Sequence, residues 1–346
     1  MTLLQQWYDA WVAHDVEVVS NLIHPDVYGH RFYVRTICLN QDAILAHLNK
    51  HTTQHIELGD IEQERDSLHY TMVVTDDTGH HDVIAKAIFK EGKLYKLYET
   101  VQSDKTRYKV RCAYDGSVFL GYQRQPIEPT VQGTLESAIT DVLHLEEPIS
   151  IHASGRTDKG VHAHEQVFHF DAKTNVPTEK LAQLIQTRLP DAIHIHDVTP
   201  VRPTFHSRYD VSSKEYVYKL NLQQFDPIQR NYEWFVSGLD LNKLEQDAQL
   251  FVGTHDFAAF TATTEKNTIR TIHNITLNQQ GDYLYIHVKG NGFLRYMVRY
   301  MVYALVAINL GKLHVSITDL LYHKDNTHLG QMAPAGGLYL HRVMYE

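Results

Sequence analysis

Cysteine is nearly absent. Cys38 and Cys112 are the only two in 346 residues, far apart and without a CxxC pair. A disulfide-built scaffold is excluded, and the chain reads as a reduced, cytoplasmic protein. Long apolar runs are missing too. The longest, Tyr296–Leu310, carries Arg299 and falls short of the ~20 residues a membrane span needs, so it reads as a buried helix. The opening MTLLQQWYDAW has no basic region followed by an apolar core, and no signal peptide is expected. Positive charge is scarce: 32 Lys and Arg against 41 Asp and Glu leave a net charge of −9. That argues at first against a nucleic-acid partner, but the deficit is uneven. Residues 1–101 hold 8 cations against 15 anions, or −7, and the other 245 residues hold 24 against 26, or −2. A near-neutral region still permits a basic cleft, because phosphate binding depends on local clustering.

What is present begins with apolar positions at helical spacing: Leu3, Leu4, Trp7, Tyr8 and Trp11, then Val16, Val18, Val19 and Leu22. Asp15 is placed to cap a second helix, and His24-Pro25 to end it. A third helix is expected over Gln41–Lys50. Strands are expected over Ile56–Glu62, Leu68–Thr75, Asp82–Lys90 and Leu94–Val101, with Asp76-Asp77-Thr78-Gly79 turning between the second and third. Helices followed by a strand meander make a small α+β domain. His24, Asp26 and His30 are its candidate polar groups, either lining a pocket or closing hydrogen-bonded turns.

Beyond a polar link at 102–106 the pattern changes. A strand over Tyr108–Tyr114, a helix over Val131–Leu145, and strands on either side of residue 158 come first. A helix over Thr178–Leu189, bracketed by prolines, and a strand over Ala192–Val198 follow. After about residue 210 a similar alternation runs through Lys214–Leu220, Leu241–Val252, Ile269–Asn278, Tyr283–Lys289, a long helix Phe293–Leu310, a short helix Ser316–Tyr322 and a last strand Gly337–Met344. Two similar α/β halves, about 105–210 and 211–346, sharing one sheet with a cleft between them, are the expected architecture.

The stretch Ser154-Gly155-Arg156-Thr157-Asp158-Lys159-Gly160 reads as strand, tight loop, strand, with Asp158 at the tip between Arg156 and Lys159. A nearby cation would hold the carboxylate ionised and lower its pKa. That suits attack on, or stabilisation of, an electrophilic carbon. A solvated surface turn is the competing reading of the same residues.

Three separated stretches, YDGSVFLGYQRQ (114–125), GRTDKGVHAHEQVFHF (155–170) and NGFLRYMVR (291–299), together resemble the TruA-type tRNA pseudouridine synthases. FHSRY (205–209), KEYVYKL (214–220), HDFAAF (255–260), IRTI (269–272) and GLYL (337–340) extend the match over about 105–346. The resemblance implies isomerisation of uridine to pseudouridine in the anticodon arm of tRNA, at positions 38, 39 and 40. It implies a homodimer, with no metal and no organic cofactor. Asp158 matches the family's catalytic aspartate, and Tyr216 the tyrosine that contacts the base, with a role in removing the C5 proton as one reading. Arg156 is implied to pair with Asp158 and to enter the nucleic-acid stack, and Leu338 to pack on the target base. Residues 1–101 resemble the nuclear transport factor 2-like (SnoaL-like) cone fold, on WYDAWVAHDVEVVSNLIHPDV and IFKEGKLYKLYETV.

Other residues stay open. Arg295 and Arg299 read either as site cations or as the edge of a buried helix, and Arg124 and Arg208 as phosphate contacts or surface charges. His164-Glu165 with His169 has one residue too many for HExxH, and His194 with His196 lacks a third ligand. Tyr122, Tyr303, Gln186 and Arg188 depart from the family pattern, which bears on RNA docking rather than on Asp158. Two alternatives remain: a tRNA-binding or tRNA-folding protein without turnover, and a bifunctional chain with a small-molecule site in residues 1–101.

Overall fold

The computed structural model describes residues 2–31, 36–38, 40–50, 53–76, 79–126, 129–262, 267–324 and 329–345. The chain divides into two compact units, residues 1–107 with 201–205, and residues 108–200 with 206–346.

The first unit opens with α1 (Leu3–Val12) and α2 (Val16–Leu22), capped by Thr2 and by Asp15, whose carboxylate accepts from Val18 N at 3.0 Å. One face of α1 buries Leu4, Trp7, Tyr8 and Trp11, the spacing of a helix that closes over a sheet. That sheet has six strands: β1 (Ile23–Arg31), β2 (Thr36–Cys38), then, after α3 (Gln41–Lys50), β3 (Thr53–Glu64), β4 (Ser67–Asp76), β5 (Gly79–Lys90) and β6 (Lys93–Val101). Their order is β2-β1-β6-β5-β4-β3, with β1 and β6 parallel. The last four strands lie where the alternation placed them. β1 and β2 were not anticipated, because Pro25 and Gly29 hide the extended run. Asp77 and Thr78 of the expected turn lie outside the described residues. His24 is buried, accepts from Asp26 N at 3.1 Å and sets its ring edge-on to Tyr95, so these two residues belong to the stretch of β1 where the pairing with β6 shifts register. The side chain of His30 lies outside the description.

The second unit carries one large sheet. Its strands are β7 (Thr106–Tyr114), β8 (His152–Ala153), β9 (His162–Ala172), β10 (Ile193–Val201), β11 (Val211–Asn221), β12 (Trp234–Phe235), β13 (Gly253–Asp256), β14 (Ile269–Gln280), β15 (Tyr283–Gly290) and β16 (Leu338–Tyr345). Its helices are α4 (Val131–Val142), α5 (Thr178–Gln186), α6 (Leu241–Gln249), α7 (Met297–Asn309) and α8 (Ile317–His323). The main order is β10-β7-β9-β16-β11-β15-β14-β13. Three strands from the first half thus meet five from the second at β9 and β16. That seam is parallel and joins Tyr339 to His162 and Leu340 to Ala163. β16, β15, β14 and β13 otherwise follow β11 in antiparallel pairs. The architecture is α+β throughout.

α7 starts four residues later than the periodicity suggests. Tyr296 takes a left-handed conformation, φ +66°, immediately before it, which a bulky side chain rarely adopts. The helix then buries Met297, Val298, Met301, Val302, Ala304 and Leu305. Among the described residues no helix is long and apolar enough to cross a membrane.

Candidate active site

The Asp158 loop is the tip of a hairpin. β8 pairs with β9 through His152–His169 and Ala153–Phe168, Ser154 N donates to Val167 O at 2.7 Å, and Val161 N to Asp158 O at 3.1 Å. Residues 114–125 wrap its underside. Tyr122 N donates to Thr157 O at 3.0 Å, and the Tyr114 and Thr157 hydroxyls lie 2.8 Å apart. A Cβ at Gly116 would strike the Val161 carbonyl. One at Gly121, where φ is +100°, would sit 3.2 Å from Lys159 N and 3.3 Å from Thr157 O. Only glycine at these two places lets the segments lie backbone to backbone.

Gln166 is a positioning residue that the sequence did not single out. It is fully buried in β9. Its Oε1 accepts from Ser154 Oγ at 2.7 Å and its Nε2 donates to Gly155 O at 2.9 Å. An amide directly before the apolar Val167-Phe168 was the available signal, since a buried polar side chain must be bonded to something.

Asp158 itself is half-buried, while Arg156 and Lys159 on either side are exposed. Burial raises its pKa above the ordinary carboxylate range, and the charges of Arg299 and Arg295 act in the opposite direction. Two expectations need correction here. The carboxyl is shifted up rather than down, and the cations that act on it come from residues 295 and 299, not from its sequence neighbours. Among the described residues Arg156 makes no ion pair with Asp158. Arg156 and Lys159 are exposed while Asp158 is half-buried, so adjacency in sequence does not become contact.

Tyr216 is buried on β11, edge-on to Phe293 with ring centroids 5.0 Å apart. Burial and the charge of Asp158 both push its hydroxyl pKa up. Leu340 and Val288 stand opposite it on β16 and β15. Leu338 is 5% exposed and pairs with Tyr218, whose hydroxyl donates to Pro334 O at 2.7 Å. Asp158, Tyr216, Arg295 and Arg299 therefore converge, Leu338 lies one strand pair away, and Arg156 points to solvent.

The two arginines are themselves organised. Arg299 Nε donates to Ala333 O at 2.7 Å. Arg295 Nη2 donates to the Tyr296 hydroxyl at 2.7 Å, and both guanidinium carbons lie over the Tyr296 ring, at 4.6 and 5.6 Å. The strained tyrosine thus sits between the two cations that act on Asp158, an arrangement in which backbone strain serves the site.

The histidines are engaged elsewhere. His164 Nδ1 lies 3.0 Å from His341 Nδ1, and His169 Nδ1 lies 2.9 Å from Ser207 Oγ. His194 and His196 share a strand face, with ring centroids 5.2 Å apart. Among the described residues no three His, Cys, Asp or Glu side chains converge on a point that would hold a metal. Arg124 is bonded to the buried Glu136 at 3.1 Å, and Arg208 is exposed beside Tyr209.

A family model described as tRNA pseudouridine synthase matches residues 112–210 and 248–346. The tRNA pseudouridine synthase A 1 of Bacillus cereus is 41% identical over 245 residues, 69% of this chain and 99% of its own length. The tRNA pseudouridine synthase A of Maridesulfovibrio salexigens is 43% identical over 246 residues, 69% of this chain and 90% of its own. Among solved structures, an NTF-2 like protein of unknown function from Burkholderia xenovorans is 14% identical with a TM-score of 0.27, covering 29% of this chain and 80% of that one. A protein with a ketosteroid isomerase-like fold from Catenulispora acidiphila, in complex with trimethylamine, is 8% identical with a TM-score of 0.27, covering 30% and 89%.

Proposed function

This chain belongs to the tRNA pseudouridine synthase family, and from that membership we propose that Asp158 is the carboxylate that carries its reaction. The activity is the isomerisation of uridine to pseudouridine in tRNA. The finer reading places it on uridines 38, 39 and 40 of the anticodon arm. The observation that carries the assignment is a half-buried carboxylate that faces two arginines and a buried tyrosine.

Cleavage of the C1′–N1 bond leaves positive charge at C1′, which the Asp158 carboxylate captures or stabilises. The freed base turns within the site, and C5 bonds to C1′ as the carboxylate departs. C5 then loses its proton and N1 gains one, so atoms and charge balance without a cofactor. Arg299 and Arg295 oppose the effect of burial and favour the ionised carboxylate, and among the described residues no hydrogen bond occupies its oxygens. Tyr216, with its hydroxyl shifted up, stays protonated. It therefore serves to pack against the base and donate a hydrogen bond, rather than to remove the C5 proton as a resident phenolate. Leu338 supplies apolar contact for the base. Arg156, free of any partner among the described residues, is available to occupy the space a flipped nucleotide vacates, at a flipping cost of a few kcal/mol.

A cytoplasmic homodimer completes the proposal, with residues 105–346 as the synthase domain and residues 1–101 as an association or stability module. Pseudouridine formation on an unmodified tRNA carrying uridines at 38–40 tests it. Wild type forms product and Asp158→Ala does not. Product from both would remove Asp158 from its role, and tRNA binding without product from either would favour a binding protein.

A further inference from the structure

Lys214 takes no part in the chemistry above, yet it stands two residues before Tyr216 and touches the catalytic loop. Its Nζ donates to Ser154 O at 2.6 Å, and a Cβ on Gly155 would lie 2.8 Å from that nitrogen. Its neighbours across the ladders are Gly290 on β15 and Val343 on β16, and neither titrates. Gly290 in turn stands opposite Ile272 on β14. The space a side chain at Gly290 would need is taken by Ile272 and Phe293, and Arg270, two residues before Ile272 and so on the same sheet face, lies with its side chain against Gly292 and donates to the Asn267 and Ile269 carbonyls. Arg208 stands in the turn that leads into β11, and its charge and that of Arg270 both act on the Lys214 ammonium. Among the described residues no carboxylate is bonded to Lys214 or to Arg208.

A half-buried ammonium facing two guanidiniums is unfavourable in the free protein. We propose that Lys214, Arg208 and Arg270 form a subsite for one phosphate of the RNA backbone beside the nucleotide presented to Asp158. The proposal rests on the synthase reading and adds to it the group that fixes the register of the strand. Phosphate contacts position a nucleic acid where base contacts specify it, and a lysine bonded to the loop carbonyl before Gly155 ties that register to the loop itself.

Two properties follow. Burial and the charges of Arg208 and Arg270 push the Lys214 pKa down to about 8. An arriving phosphate favours the charged ammonium, so binding takes up a proton above that pH and affinity falls as pH rises. Each phosphate contact also contributes to the salt dependence, about 0.7 in the log–log slope for single strands and about 0.9 for duplex.

The test is equilibrium binding of an unmodified tRNA to the full chain against salt concentration and against pH from about 7 to about 9. Lys214→Gln keeps a donor for Ser154 O and removes the charge, and Arg208→Gln removes a charge without touching the loop. The expected result is roughly tenfold weaker binding for Lys214→Gln, a salt slope lower by about one unit for each variant, and loss of the alkaline decline in Lys214→Gln alone. Unchanged slopes and an unchanged pH profile in both variants would overturn the subsite. So would Lys214→Gln that loses turnover but binds with the wild-type slope, which would leave Lys214 as a loop tether only. Pseudouridine formation by wild type is followed in parallel. Its absence would sink the synthase reading, while the slopes would still judge the subsite.

Discussion

Each of the two units places a carboxylate beneath tyrosines, and the two are treated in opposite ways. In the first unit Glu99 is fully buried on β6. The Tyr8 hydroxyl donates to its Oε1 at 2.8 Å, and the Tyr8 and Tyr70 hydroxyls lie 2.6 Å apart. In the second unit Asp158 is half-buried, and among the described residues no hydrogen bond is made to its carboxylate. A buried carboxyl group supplied with donors is a fixed part of the fold. One held by more distant cations keeps its lone pairs for something else. Burial alone does not separate a structural carboxylate from a reactive one. The donors around it do.

The strongest way to break this contrast is at Asp158. Asp158→Asn is expected to abolish pseudouridine formation, by at least ~10³-fold, while leaving the protein at least as stable as wild type at neutral pH. The sign follows from the raised pKa. An acid whose folded pKa lies above its unfolded value loses stability as pH rises through that window, so the variant's advantage should shrink as pH falls below the folded pKa and be gone below the unfolded one. Thermal unfolding of both proteins from acidic to neutral pH checks it. Arg299→Gln comes next, with activity down by about 10²-fold. Loss of that cation raises the Asp158 pKa further, so the acid limb of the rate profile should move to higher pH. A profile that stayed in place would detach Arg299 from Asp158. Tyr8→Phe is the smallest in its effect on turnover. It should cost about 1–3 kcal/mol of stability, read as a lower unfolding midpoint for the first unit, with pseudouridine formation unchanged. That independence is expected because the family match begins only at residue 112 and the Bacillus cereus relative is covered over 99% of its length.

The sequence was informative where structure is made locally. The hairpin around Asp158, the cap at Asp15, and the strands at 67–76, 79–90 and 93–101 follow from alternation, turn residues and short-range hydrogen bonds. The environment of Asp158 does not, because its cations arrive from residues 295 and 299. Charge near the aspartate was therefore sought in Arg156 and Lys159, which the extended loop turns outward. Arg295 and Arg299 look one helical turn apart, but only Arg299 lies in α7, since Tyr296 leaves the helical conformation. Their common target is set by the left-handed tyrosine and by the Ala333 carbonyl, neither of which any periodicity encodes. Gln166 did not stand out, because β9 also carries His162, His164, Glu165 and His169, and its partners lie eleven and twelve positions back.

The seam between β9 and β16 has a consequence for the birth of the enzyme. Strands pair there across 177 positions of chain, through two paired positions, Tyr339 with His162 and Leu340 with Ala163. Such long-range parallel contacts close late in folding, and during synthesis the earlier segments emerge and fold first. The Asp158 hairpin can form as soon as β8 and β9 leave the ribosome, but Leu338 and Leu340 are not there to complete its surroundings until β16 follows. A nascent chain would then carry its aspartate well before it could use it, and no tRNA passing the ribosome would be modified by a half-made enzyme.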